Sequence, residues 1–250
     1  MFASIDGLEG WRHLALGSVG STNIEAMNLA KDGDPGQVWV TAEEQLSGKA
    51  RRGRGWVSKP GNLYASLLLI EPAERQHLAT LPLVVSLGLY EALSPFLGGR
   101  LNDLKIKWPN DLLFKGKKLS GILLEATNDP QGRLAVVIGC GVNCAHYPDN
   151  PLYPATSLAF EGFDIRPYDL FERLASSLAQ QLSVWNRGQG IAEIRQQWLN
   201  RAQGVGLPIV VRFSQEELHG TFDGIDKDGM LLLKMDDGTV QTISAGDVFF

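Results

Sequence analysis

Stretches with an apolar period alternate with stretches that have none, and this alternation outlines the elements of the chain. Residues 11–18 alternate loosely and predict a strand. Thr22 is followed three residues later by Glu25, the spacing of a capping box, so a helix is expected to begin there. Ala26, Met27, Leu29 and Ala30 carry it to a stop near Gly33. Residues 37–43 read as a strand. Residues 46–61 hold four glycines and five Lys or Arg, with almost nothing apolar besides Trp56 and Val57. Such a segment buries no face and is expected to be a loop. The apolar run at 62–70 predicts a buried strand. Leu78, Leu81, Val84, Val85, Leu87, Leu89 and Leu93 recur at helical spacing, which predicts a helix over 77–97 with Pro82 near its start. Strands are expected around 104–108, 117–126 and 134–144, the last two joined as a hairpin through residues 128–133. Helices are expected at 167–186 and 190–202. Gly204, Gly206 and Pro208 mark a boundary. Beyond it short strands alternate with turns at Asp223-Gly224, Asp228-Gly229 and Asp237-Gly238, the pattern of a small β-barrel of the SH3 kind. No internal repeat or low-complexity tract interrupts this order.

Length and charge narrow the classes. A chain of 250 residues suffices for one sizeable core and a small second one. A content of 44% hydrophobic and 20% charged residues is that of ordinary soluble globular proteins. The formal net charge of -5 argues against bulk nucleic-acid binding, which needs clustered Lys and Arg. Any basic cluster is therefore local and informative. Two cysteines make no disulfide framework. The first residues lack the basic start and apolar core of a signal peptide, and the apolar runs read as too short to span a bilayer. A reducing cytoplasm and no membrane association are expected.

Three segments carry candidate chemistry. Lys49, Arg51, Arg52 and Arg54 lie among Gly48, Gly53 and Gly55. Glycines let backbone N–H groups approach an anion, and guanidinium groups grip phosphate or carboxylate in a fork. Taken alone, the segment also suits a solvated basic surface loop. Lys107-Trp108-Pro109-Asn110-Asp111 sets an amide and a carboxylate at the end of a strand. Asp111 suits Mg²⁺, which prefers carboxylates plus substrate phosphates, although Asn and Asp are also ordinary turn formers. Lys118 then opens an apolar strand containing Gly121, a hint of close approach by a ligand. Gly139-Cys140-Gly141-Val142-Asn143 ends a strand with two glycines and an amide. Cys140 and Cys144, with His146 nearby, are weak candidates for a metal, since buried free Cys behaves as a small apolar residue.

In their order and spacing these segments resemble the biotin protein ligases, or biotin–[acetyl-CoA-carboxylase] ligases. The matching segments are Ser21 to Asn23, Gln45 with the loop from Gly48 to Trp56, KWPNDLLF, GKKLSGILLE and GCGVN, and the resemblance covers nearly the whole chain. It is to the short, monofunctional members, because only residues 1–20 precede Ser21 and leave no room for the DNA-binding domain of the regulatory members. The fold implied is α+β. A mixed, largely antiparallel sheet with helices packed on it, like that of class II aminoacyl-tRNA synthetases, forms a catalytic domain over residues 1–204. A small SH3-like β domain follows over 205–250.

The activity implied is ATP-dependent attachment of biotin to a lysine of the biotin carboxyl carrier domain of acetyl-CoA carboxylase or another biotin-dependent carboxylase. It passes through biotinyl-5′-AMP, with Mg²⁺ as cofactor. Carried over residue by residue, Ser21, Thr22, Asn23, Gln45, Arg51, Lys118 and Gly121 would bind biotin. Lys49, Arg52, Trp56, Lys107, Asn110 and Asn143 would bind ATP or the adenylate, with Trp56 on adenine. Lys118, Arg51 and Asp111 would serve the chemistry. No DNA binding is implied, and a homodimer is left open. The family's loop reads G-R-G-R-R-G-R, whereas here Lys49 and Ala50 stand for Arg and Gly; Lys keeps the charge without the fork, and Ala restricts φ. Rival readings are a lipoate ligase of the same fold, a non-enzymatic nucleic-acid binder and an inactive ligase-like scaffold.

Overall fold

The computed structural model describes residues 1–149, 153–213 and 216–250. A hairpin of β1 (Ala3–Ile5) and β2 (Leu8–Val19) leads into α1 (Thr22–Lys31), β3 (Val38–Gln45), β4 (Leu63–Ile70) and α2 (Leu81–Leu97). Four strands follow: β5 (Leu104–Lys107), β6 (Asp111–Phe114), β7 (Lys117–Asn128) and β8 (Leu134–Val142). After α3 (Pro167–Trp185) and α4 (Ile191–Arg201) come β9 (Pro208–Arg212), β10 (Glu217–Ile225), β11 (Leu231–Lys234), β12 (Val240–Ile243) and β13 (Asp247–Phe249).

The first eight strands form one sheet in the order β1-β2-β3-β4-β8-β7-β6-β5. Only β2 and β3 run parallel, because α1 connects them as a crossover; every other pair is antiparallel. Side chains on a strand alternate between faces, and here the alternation assigns each face its helices. Val38, Val40, Leu68, Ala135 and Val137 meet Ala26 and Ala30 of α1. Their neighbours Trp39, Leu67, Leu69, Val136 and Ile138 point the other way, into the core built with α2, α3 and α4. A Cβ on Gly88 of α2 would lie 3.1 Å from Leu178 Cα, so this glycine lets α2 and α3 cross closely. The buried indoles of Trp185 and Trp198 donate to Thr80 Oγ1 (2.9 Å) and Ser86 Oγ (3.1 Å). The last five strands form an antiparallel sheet in the order β12-β11-β10-β9-β13, in which β10 shifts register between Phe222 and Gly224, as the long strands of small barrels do. Its core residues, including Val211, Phe222 and Leu233, are continuous with the core of the large sheet. Trp108 Nε1 donates to the Gly229 carbonyl at 3.0 Å across that junction.

Several expectations need correction. The helix does start at Thr22, but no capping box forms: Ser21 is the N-cap and makes no side-chain cap bond. Thr22 instead spends its hydroxyl on Gln45. Residues 75–80 are a 3₁₀ turn, so α2 begins at Leu81 rather than at 77. Strand β6 was not foreseen; Asp111 begins it rather than sitting in a loop. Strand β8 stops at Val142, because Asn143 turns away with its N–H on the Leu119 carbonyl (2.9 Å). Finally, the run Arg75–Asp103 is long and apolar enough to cross a membrane by length and composition. It is apolar because α2 is a core helix, with Val84, Val85, Leu87 and Leu89 fully buried.

Candidate active site

The face that carries α1 changes character where the helix begins. Beneath α1 the strands present Leu68, Ala135 and Val137; farther along the same face they present Ser66, Gly139 and Gly141. Removing side chains there opens room in front of the helix N-terminus. Pairing across the sheet then builds a row. Lys107 pairs with Asp111, Asp111 with Gly121, Gly121 with Gly141, and Gly141 with Tyr64. Lys118 joins it through a register shift between Leu112 and Leu113. A residue three places from Gly121 would otherwise face the opposite side, and the bulge turns it back. Lys118 Nζ lies 2.8 Å from Asp111.

Above the row is a cavity of about 430 Å³. One end is uncharged and hydrogen-bonding. Ser21, Thr22 and Asn23 are buried at the start of α1. Gln45 Oε1 accepts from the Thr22 backbone N–H at 2.9 Å and from its hydroxyl at 3.1 Å. The other end is cationic. Arg51 Nη1 donates to Asn110 Oδ1 at 2.7 Å, and Asn110 Nδ2 donates to the Ile122 carbonyl. Burial lowers the pKa of Arg51, an effect opposed by the charges of Asp111 and Asp247. Burial likewise lowers Lys107, with Asp111 opposing, and its ammonium lies 5.2 Å and 5.6 Å from the ring centroids of Tyr153 and Phe249.

The segment 46–61 forms the roof. It closes on itself where Trp56 N–H donates to the Gly48 carbonyl (2.9 Å) and Ala50 N–H to the Arg54 carbonyl (2.8 Å). Arg52 turns the tip at φ 58°. The Trp56 ring lies on the glycines of the row: a Cβ on Gly141 would stand 2.7 Å from it, and one on Gly121 3.0 Å. Lys118 Nζ is 5.6 Å from the ring. The ring thus forms part of the cavity wall over Gly121 and Gly141.

Of the residues singled out from the sequence, Ser21, Thr22, Asn23, Gln45, Lys49, Arg51, Trp56, Lys107, Asn110, Asp111, Lys118, Gly121 and Asn143 all line this cavity. Arg52 does not; its Nη1 donates to Asp247 Oδ2 at 2.8 Å. Asp247, on β13, also accepts from Arg54 Nη2 (3.1 Å) and the Tyr153 hydroxyl (3.0 Å). Burial raises its pKa, but these donors and the two guanidinium charges outweigh it and hold the carboxyl below its usual range. Arg54 was read only as one of the cations of the basic loop, and Tyr153 and Asp247 went unread because nothing around them in the sequence marks them. Cys140 and Cys144 are buried and their thiols are pushed up to about 12 by desolvation, so they act as apolar core groups. Among the described residues no group of three His, Cys, Asp or Glu is placed to hold a metal.

A cleft on one face of a mixed sheet, roofed by an arginine-glycine loop and flanked by a small β domain, is the arrangement that the resemblance to the biotin protein ligases implies. Comparison with known proteins agrees. Residues 19–143 match the biotin/lipoate A/B protein ligase family, and residues 205–250 match the biotin protein ligase C-terminal domain. The chain is 41% identical over 239 residues to the biotin–[acetyl-CoA-carboxylase] ligase of Paracoccus denitrificans, covering 92% of this chain and 97% of that one. It also matches the Aquifex aeolicus biotin protein ligase in complex with biotin and ATP (TM-score 0.79, 25% identity, 95% of this chain and 97% of the other). The Leishmania major biotin protein ligase in complex with biotinyl-5-AMP matches with a TM-score of 0.66 at 25% identity, over 93% and 98% of the two chains. The chain belongs to the biotin/lipoate A/B protein ligase family.

Proposed function

We propose that this enzyme is a biotin protein ligase, which activates biotin with ATP and transfers it to a lysine of a carboxylase carrier domain. The observation that carries this reading is the polarity of one cavity. Its uncharged end at Ser21, Thr22 and Gln45 suits a ureido ring, and its cationic end at Arg51, Lys107 and Lys118 suits a carboxylate meeting a phosphate. A carboxylic acid with a pKa of roughly 4 is already ionised at neutral pH, so the nucleophile needs no general base. The barrier lies in bringing one anion onto another, and positioned cations lower it.

In the first step a biotin carboxylate oxygen bonds to the α-phosphorus of ATP and pyrophosphate leaves, giving biotinyl-5′-AMP. In the second a neutral lysine amine bonds to the acyl carbon, AMP leaves, and the amine loses its proton. Arg51 and Lys118 flank the reacting oxygens, Asn110 holds Arg51 in place, and Lys107 and Asn143 face the nucleotide. Trp56 covers the junction and keeps water from the mixed anhydride. Mg²⁺ fits this site only as a companion of ATP, since Asp111 offers one carboxylate and phosphate oxygens would supply other ligands. Bound there, it would neutralise phosphate charge. Residues 1–204 would form the catalytic unit and 205–250 an accessory one, in the cytoplasm where the carboxylase resides.

Biotin-dependent ATP–pyrophosphate exchange tests enzyme class and substrate together. Exchange that lipoate supports and biotin does not would overturn the reading, because a dithiolane leaves the polar end unpaired.

A further inference from the structure

Gln45 is anchored at both ends of its amide. A backbone N–H only donates, so the bond from Thr22 N–H turns Oε1 toward Thr22 and the NH₂ group toward Ser58. Gln45 Nε2 donates to Ser58 Oγ at 2.9 Å. Ser58 must accept there, and its one proton goes to the Trp56 carbonyl at 2.9 Å. The opposite end of the network is as determinate. A carboxylate only accepts, so Asn23 Nδ2 donates to Glu125 Oε2 (2.8 Å) and Asn23 Oδ1 faces the Ser66 hydroxyl at 2.6 Å. Ser66 Oγ also stands 2.7 Å from Thr22 Oγ1. Ser66 has one proton for these two acceptors, and Thr22 gives its hydroxyl proton to Gln45, so the unbroken run is Thr22–Gln45–Ser58–Trp56, from the start of α1 to the neck of the roof.

That neck is tight. Gln45 N–H donates to the Ser58 carbonyl at 3.2 Å, and a Cβ on Gly48 would stand 2.5 Å from Ser58 Oγ and 2.6 Å from the Trp56 carbonyl oxygen. Ser58 is 8% exposed, although Val57 and Lys59 on either side are exposed. It does not line the cavity.

We propose that Ser58 is a positioning residue: its hydroxyl passes the state of Gln45, at the uncharged end, to the Trp56 backbone and so holds the roof shut over the acyl-adenylate. This rests on the biotin reading given above. A ligand hydrogen-bonded to Gln45 restricts the amide, the amide fixes the Ser58 hydroxyl, and the hydroxyl fixes the Trp56 carbonyl. Occupancy at one end thereby closes the loop over the other.

Trypsin cleavage after Arg51, Arg52 and Arg54 of the full chain, with and without biotin, reads the opening of the roof. It is compared for the parent, Ser58→Ala and Ser47→Ala; Ser47 donates to the Gly20 carbonyl at the same neck without touching Gln45. Biotin is expected to protect the parent and Ser47→Ala. Ser58→Ala should be cut about tenfold faster, release bound biotinyl-AMP about tenfold sooner, lose most of the protection and, because the coupling is reciprocal, bind biotin more weakly, with the thermal midpoint little changed. Should Ser58→Ala fail to fold, Ser58→Cys keeps the volume with a weak hydrogen-bonding group and is expected to lose protection in the same direction. Full protection in the Ser58 variant, or equal loss in Ser47→Ala, overturns the relay. Pyrophosphate exchange run in parallel separates the two ideas. Biotin-dependent exchange with an unaffected Ser58 variant sinks the relay alone, whereas a parent whose exchange ignores biotin sinks the site reading and the relay with it.

Discussion

Arg51 is the side chain on which the roof and the floor meet, since its guanidinium reaches from the loop to Asn110. Arg51→Gly is expected to form biotinyl-AMP and release it early. Free adenylate in solution and labelling of lysines on bystander proteins would measure this, and an adenylate held as tightly as by the parent would refute the anchor. His13 supplies a prediction of another sort. It is 7% exposed, donates to or accepts from Thr41 Oγ1 at 2.8 Å, and stacks 4.3 Å from Phe171. Burial lowers its pKa from the ordinary 6.5. Above 6.5 both folded and unfolded chains hold it neutral. As pH falls through 6.5 the unfolded chain takes the proton first, so stability declines until the folded group titrates as well. His13→Gln should flatten the stability profile in that window; an unchanged slope in urea titrations from pH 7.5 to 5.5 would show that His13 does not cause it. At this scale the site was largely legible. The side chains expected from the sequence to line the cleft are mostly charged or amide groups in short, distinctive runs, whereas Ser58, Glu125 and Asp247 are ordinary polar residues that acquire a role only from what they touch.

Strands explain why those runs are spaced as they are. Gly121 and Gly141 face each other across β7 and β8, and the ring of Trp56 lies against both. Gly141→Ala would push a methyl group into that ring. Overpacking of this kind costs on the order of 1–3 kcal/mol when it cannot relax, and here the roof can lift to relieve it. The expected result is therefore a near-parental thermal midpoint with a clearly faster release of adenylate, seen by following bound radiolabelled nucleotide. A large fall in the midpoint with unaltered release would contradict this. Periodicity found the helices and buried strands but missed β6, a four-residue strand that begins at Asp111. It also missed the bulge that brings Lys118 to Asp111, because a register shift is a property of two strands and leaves no mark in either. The capping box misled for a related reason: Thr22 has a better partner in Gln45 than in its own helix.

Over the whole molecule, the β13 strand ties the small sheet to the roof. Arg52, Arg54 and Tyr153 converge on Asp247, so Asp247→Asn should loosen the loop from the C-terminal side. Half-exposed ion pairs contribute little to stability, and the expected signature is a raised KM for ATP with the thermal midpoint nearly unchanged. Parental nucleotide kinetics would show that the tie is incidental. The small sheet was visible in the Asp-Gly turns at 228–229 and 237–238, whereas Asp223-Gly224, expected as a third turn, lies inside β10 at its register shift; the contact of the sheet with the loop spans 195 positions of sequence and had no local signal.

The cationic end of the cleft has a kinetic consequence as well. It is set in a chain of net charge -5, so the far field of the molecule weakly repels an incoming nucleotide while the mouth attracts it. Screening acts over about 10 Å at 0.1 M salt. Raising ionic strength from a very low value therefore first removes the distant repulsion and only later weakens the local pull. The association rate for ATP should pass through a shallow maximum with salt, in contrast to the steady fall of a uniformly basic nucleotide binder.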